Sequence, residues 1–128
     1  MYRLLEPGPV VLVTTARAGR ANVMTMSWHT MMEFEPPLVG CIISDRDYTF
    51  DMLKQTKECV IAIPTVEIAA KVVGCGNTSG RKVDKFFVLR VLKAWIDPAR
   101  KHPRTLHHMG RGVFMVAGRT VRLPSRMK

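Results

Sequence analysis

Two short stretches carry the residue types that could do chemistry. Asn22-Val-Met-Thr-Met-Ser-Trp28 sets small hydroxyl and amide groups along what reads as a strand, and Ser44-Asp-Arg-Asp-Tyr-Thr-Phe50 puts a hydroxyl, an arginine and a threonine at the mouth of a short helix. An extended strand offers backbone donors and acceptors to the polar edge of a flat heterocycle. A helix start offers free N–H groups and the positive end of its dipole to an anion. Arg46 adds a permanent cation with a forked donor pattern suited to phosphate, whereas Asp45 and Asp47 beside it repel one unless they turn away or pair with it. Together the two stretches suit a planar ring that bears a phosphate.

The elements that must position these groups follow from pattern. Pro9 to Thr15 is rich in β-branched residues, Arg17 to Arg20 is a turn through Gly19, and Ala21 to His29 resumes an extended pattern, which is a hairpin signature. With period two, Met24, Met26 and Trp28 share one face of the second strand, and Val23, Thr25 and Ser27 the other. The methionine face suits a core; the hydroxyl face suits either a ligand wall or solvent. Pro36-Pro37 precedes an apolar strand from Leu38 to Ser44, after which Asp47 or Thr49 can cap a helix over Tyr48 to Gln55 with Phe50 and Leu53 inward. Cys59 to Ile63 reads as a buried strand. Thr65 opens a second helix through Val73, with Gly74 at its end.

Beyond it, residues 74–81 form a polar, glycine-rich loop that lacks the Gly-Lys-Ser/Thr of a nucleotide-hydrolase phosphate loop. It suits either a plain surface connection or a rim over a bound substrate. Phe87 to Ile96 reads as a strand carrying Trp95, and Gly112 to Ala117 with Arg119 to Leu123 as a last hairpin around Ala117-Gly118. Short strands, frequent turns and two minor helices predict a mainly β, barrel-like domain spanning residues 1–128, with an N-terminal block, 1–86, and a basic C-terminal block, 87–128.

Composition narrows the function classes. At 128 residues and 47% hydrophobic, the chain has room for one core and is not disordered. No apolar run reaches the roughly 20 residues of a membrane helix, and no basic-then-apolar leader opens the chain, so a soluble, cytoplasmic protein is expected. Cys41, Cys59 and Cys75 are odd in number and form no CxxC, which fits reduced thiols better than disulfides or zinc, with Cys75 as the candidate for exposure. The net charge of +10 is uneven: residues 1–86 hold ten Lys/Arg against nine Asp/Glu, and residues 87–128 hold ten against Asp97 alone. Such a basic third can draw nucleic acid or acidic surfaces, or steer an anionic cofactor. His107 and His108, adjacent on a strand, point to opposite faces and do not share a metal, so no metal site is expected.

In their order along the chain, Pro9 to Thr15, Asn22 to Trp28, Pro36-Pro37, Ser44-x-Arg46-x-x-Thr49, Val60 to Pro64, Val83 to Phe86 and the run from Phe87 through His107-His108 to Pro124 resemble the flavin reductase-like, FMN-binding split-barrel family, including its flavoredoxin-like members. The resemblance implies a split β-barrel, incomplete in this chain because the family's additional strands between the equivalents of Phe86 and Phe87 are missing. It further implies FMN as cofactor, with Met24, Thr25, Ser27 and Trp28 along the isoalloxazine and Ser44, Arg46 and Thr49 at the phosphate. Asn77 and Ser79 would face the second substrate, NADH or NADPH. A homodimer is expected, since missing strands leave sheet edges to cover.

On this reading the flavin supplies the redox chemistry, so no catalytic residue is assigned, and no acid–base pair stands out at helical or strand spacing. The expected activity is that of an NAD(P)H-dependent flavin reductase or a flavoredoxin-like electron carrier. Two alternatives come from other classes. One is a basic binding module for nucleic acid or an acidic partner, disfavoured because Phe87, Trp95 and Phe114 are the only aromatics of the last third apart from histidine. The other is an inactive, shortened flavoprotein that persists only as an oligomer.

Overall fold

A computed structural model describes residues 8–77, 84–99, 102–109 and 111–118. Its elements follow the chain as β1 (Gly8–Pro9), β2 (Val11–Arg17), β3 (Arg20–Met26), β4 (His29–Phe34), β5 (Pro37–Ser44), α1 (Tyr48–Thr56), β6 (Val60–Ala62), a 3-10 turn (Val66–Ile68), α2 (Ala69–Gly76), β7 (Asp84–Arg90), β8 (Leu106–His108) and β9 (Phe114–Val116). They form three antiparallel sheets, ordered β3-β2-β6, β4-β5-β7 and β1-β8-β9. The fold is therefore mainly β with two short helices, as the sequence predicts, and the three sheets do not close on one another.

The first hairpin is set by its turn. Ala18 and Gly19 adopt φ values of 48° and 75°, the two left-handed residues that let a two-residue connection match the twist of its strands. Arg17 then pairs with Arg20, and the register runs without a slip to Val11 opposite Met26. Alternation divides the side chains between two cores. Val11, Val13 and Met26 turn to one face, where they meet Cys41 and Ile43 of β5 and Phe50 and Leu53 of α1. Leu12 turns to the other, where Val72 of α2 packs against Val10 and Leu106. The Thr25 hydroxyl, on this second face, donates to the Val72 carbonyl at 2.6 Å and so ties β3 to α2. Its hydroxyl is thus engaged within the fold, while Thr25 and Ser27 of this face also line a cleft, one of the two uses foreseen for the hydroxyl face.

β5 is the central strand of its sheet, paired with β4 on one side and with β7 on the other from Leu38↔Arg90 to Ser44↔Asp84. Strand β7 crosses Phe86 and Phe87 without a break. The two sequence blocks are thus fused inside one continuous strand.

Several expectations need correction. The Cys59 to Ile63 segment is not a buried strand: among the described residues β6 pairs with β2 alone, and Val60 and Ile63 are exposed. The strand expected over Phe87 to Ile96 starts at Asp84 and stops at Arg90, leaving Trp95 74% exposed with the Lys93 ammonium 5.0 Å from its ring centre. Strand β9 pairs with β8 through a turn at Arg111 and Gly112, both at positive φ, and the hairpin expected around Ala117-Gly118 has its second strand outside the described residues. Arg119 to Leu123 lies outside the described residues. Gly74 does not end the second helix, which continues to Gly76 with Asn77 at its C-cap.

Period-two packing along β5 generates a direct test. Ile43 is fully buried, whereas Ile42 on the opposite face is 37% exposed. Ile43→Ala should cost about 3 kcal/mol in urea unfolding and Ile42→Ala about 0.5 kcal/mol. Equal losses would mean that β5 does not sit in this register.

Candidate functional site

The cleft forms where the two singled-out stretches meet. Strand β3 ends at Met26, and Ser27 and Trp28 bridge to β4: the Ile42 N–H donates to the Trp28 carbonyl at 2.9 Å, and the His29 N–H to that of Ser27 at 3.1 Å. Strand β5 meanwhile runs into α1 through Ser44, whose carbonyl accepts the Asp47 N–H at 3.0 Å and whose hydroxyl accepts the Arg46 N–H at 3.2 Å. Between them lies an open cleft of about 250 Å³ lined by Met24 to Trp28, Ile42, Ser44, Asp47 and His108.

The backbone of β3 contributes as much as its side chains, because β3 is the edge strand of its sheet. Beyond a two-residue turn the flanking pair exchanges both hydrogen bonds and the pattern then alternates. With Arg17 opposite Arg20, the inward-bonded residues are Arg20, Asn22, Met24 and Met26. Thr25 directs its N–H and C=O to the open edge, beside the half-exposed Trp28 ring. A flat polar-edged molecule laid there meets amide groups on its rim and Met24, Met26, Trp28 and Ile42 on its faces.

At the other end, Asp47 occupies the N-cap of α1 but makes no side-chain capping bond, although the sequence suits it to that role. Thr49, in the first turn, is fully buried, and its hydroxyl accepts the Asn22 amide at 2.7 Å while keeping its own proton to donate. This bond ties the helix start to β3. Asp45 presents the opposite electrostatics: its Oδ1 is buried without a hydrogen-bond partner next to Ser44 and Arg46.

Of the residues singled out from sequence, Met24, Thr25, Ser27, Trp28 and Ser44 come together in the cleft. Arg46 and Thr49 lie at its helix end but do not line it; Asn77 caps α2 and does not line it either, and Ser79 is outside the described residues. Met26, Ile42, Asp47 and His108 line the cleft without having been singled out, and His108 is the most distant of them in sequence. It arrives through the long-range pairing of Gly8 with His108, which no local pattern signals. Among the described residues no group of three or more His, Cys, Asp or Glu side chains could hold a metal ion.

Residues 1–104 match the family model of the flavin reductase like domain. An uncharacterized protein of Pyrococcus abyssi is 31% identical over 124 residues, covering 97% of this chain and 58% of its own length. The uncharacterized YddH of Escherichia coli is 35% identical over 86 residues, covering 66% of this chain and 46% of its own. The chain thus spans about half the length of these relatives. Among solved structures, an FMN-binding protein of Thermus thermophilus with bound p-hydroxybenzaldehyde superposes with a TM-score of 0.82 at 20% identity, covering 92% of this chain and 90% of that one. Flavoredoxin of Methanosarcina acetivorans gives 0.81 at 18%, covering 94% and 90%. The open sheets are those of the split barrel.

The donor set fits a flavin nucleotide. Small-molecule sites begin near 300 Å³, so a cleft of about 250 Å³ would suit a flat ring, with Ser44 and the start of α1 at its rim. The lone Asp45 oxygen opposes a phosphate there, and Arg46 offsets it.

Chemistry by cysteine is disfavoured beside this cleft. None of the three cysteines is in a disulfide, and Cys75, expected to be exposed, is half-buried. Burial, reinforced by Cys59, pushes the Cys41 thiol from its ordinary 9.0 up to about 11, and burial raises Cys59 as well. A raised value means that the folded state favours the protonated thiol: the stabilisation is complete below about pH 9 and is lost as pH climbs toward 11. Urea stability should therefore fall between pH 9 and 11, and Cys41→Ala should lessen that fall. An identical pH slope in the variant would contradict the assignment.

Proposed function

The chain belongs to the flavin reductase like family, and from that premise we propose that it binds FMN in the cleft between β3 and the start of α1 and works as an NAD(P)H-dependent flavin reductase or a flavoredoxin-like electron carrier in the cytoplasm. The observation that carries this reading is the convergence of the β3 edge, Trp28 and Ser44 on one cleft beside the start of α1. The resemblances to FMN-binding and flavoredoxin structures add support.

In this reading the outward N–H and C=O of Thr25 meet the polar edge of the isoalloxazine, and Met24 and Trp28 cover its faces. Ser44, Arg46 and the first-turn amides of α1 hold the phosphate, with Thr49 donating from beneath and Asn22 fixing its orientation. Asn77, at the C-cap of α2, would face the nicotinamide, a role the sequence also suggests for Ser79. When bound, the flavin supplies the redox step, taking a hydride from the nicotinamide and passing electrons to free flavin, oxygen or a protein partner. The protein's task is to orient the rings and limit water.

Titration with FMN, followed by quenching of flavin fluorescence, tests the phosphate corner by opposite signs. Arg46→Ala and Thr49→Ala should each weaken binding about tenfold, and Asp45→Asn should tighten it about threefold by removing a nearby negative charge. Unchanged affinity in all three variants would remove the corner from the site. Consumption of NADH or NADPH with added FMN, read at the nicotinamide absorbance, separates the reductase from the carrier.

We also propose a homodimer. Met31, Met32 and Phe34 are exposed on the edge strand β4, and Val91, Leu92, Trp95 and Ile96 are exposed just after β7. Sheet edges of this composition pair or aggregate unless covered. Sedimentation should give twice the chain mass, and Phe34→Lys should shift it toward a monomer; a wild-type monomer at micromolar concentration would contradict the dimer.

A further inference from the structure

His108 reaches the cleft from outside both stretches that define it. It lies at the end of β8, bonded in register to Gly8 of β1 and to Phe114 of β9. Its ring packs on Phe114 with centroids 5.2 Å apart and planes inclined at 53°. The sheet that carries it is anchored beside the cleft: the Val10 N–H donates to the Leu106 carbonyl at 2.6 Å, and His29 Nε2 bonds the Pro9 carbonyl at 2.7 Å. Strand alternation then sends His107 the other way, where its Nε2 lies 3.2 Å from the Thr105 hydroxyl. Only one histidine of the doublet faces the cleft.

The charge inventory of that cleft gives the position meaning. Among the described lining residues Asp47 is the one carboxylate, and His108 is the one side chain able to carry positive charge; neither Lys nor Arg lines it. It shares the cleft lining with the apolar side chains of Met24, Met26, Trp28 and Ile42 and is itself half-buried, so a hydrogen bond from its imidazole is less diluted by water than one at a fully exposed surface. A flavin ring presents carbonyl oxygens and ring nitrogens along one edge, and that edge gains negative charge on reduction. An imidazole N–H braced by Phe114 is a complementary donor.

We propose that His108 is a flavin-binding residue, donating from its imidazole to the acceptor edge of the isoalloxazine and completing a site that the N-terminal strands leave open. The proposal rests on the FMN reading above and assigns a ligand contact to the C-terminal sheet, which the phosphate and β3 motifs do not involve.

The test is a binding titration of FMN and of riboflavin, read by flavin fluorescence, on the wild type, His108→Ala, His108→Gln and His107→Ala. His108→Ala should weaken both ligands about tenfold, consistent with loss of one hydrogen bond to a polar, partly charged group. His108→Gln, which keeps an N–H donor, should recover part of the loss, and His107→Ala should stay within about twofold of the wild type. The melting temperature of each flavin-free variant shows whether the fold is kept, and if His108→Ala is unfolded, the Gln variant alone carries the comparison through a shift in the visible spectrum of bound flavin. FMN binding that is unchanged by either His108 substitution overturns the proposal and leaves the FMN reading standing. Loss confined to FMN, with riboflavin unaffected, overturns the ring contact in favour of one to phosphate. No binding of either flavin by the wild type overturns the proposal and the reading beneath it.

Discussion

The pairing of β5 on both edges is the constraint on which the rest depends. Eight residues, Pro37–Ser44, are held between β4 and β7, and this fixes which side chains enter the core and which face the cleft. Ile43 and Cys41 go inward to meet β2 and α1; Ile42 goes outward to the cleft wall, and Ser44 delivers the chain to the helix start. A slip of one residue would exchange these sets and expose the core face while burying the site. The hydrogen bond from Ile42 to Trp28 then draws the end of β3 toward β5, so the ring-facing segment and the phosphate-facing corner are set by the same strand.

The second hairpin layer explains why the cleft is open to a ligand. Among the described strands β3 is bonded to β2 alone, and α2 covers its Thr25 face while α1 covers its methionine face. What remains exposed is the strand's backbone edge. An unpaired edge carries donors and acceptors that need partners, and a cofactor is one way to supply them. The fused β7 makes a related point: it keeps β5 central with no break at Phe86-Phe87, so the shortened chain retains the sheet that positions the site.

Local chemistry made the first half of this arrangement readable in the sequence. The Ala-Gly turn, the alternation of Val11 to Thr15, the apolar run of β5 and the inward Phe50 and Leu53 each carry a strong short-range signal. The misreadings have physical causes as well. Apolar composition at Cys59 to Ile63 does not reveal that the strand has one neighbour rather than two, and Trp95 follows a strand whose end at Arg90 is set by the length of β5 opposite it. His108 was illegible because its partner Gly8 lies 100 positions earlier, and alternation says only that one of the two histidines faces each way. The half-burial of Cys75 depended on α2 extending past Gly74.

The most direct test of the central claim is an amide-resonance map of the isotopically labelled protein as FMN is added. Shifts concentrated at Thr25, Ser27, Trp28, Ser44, Asp47 and His108 would place the ligand in the cleft described here. Saturable shifts clustered elsewhere, or none at millimolar FMN, would contradict it.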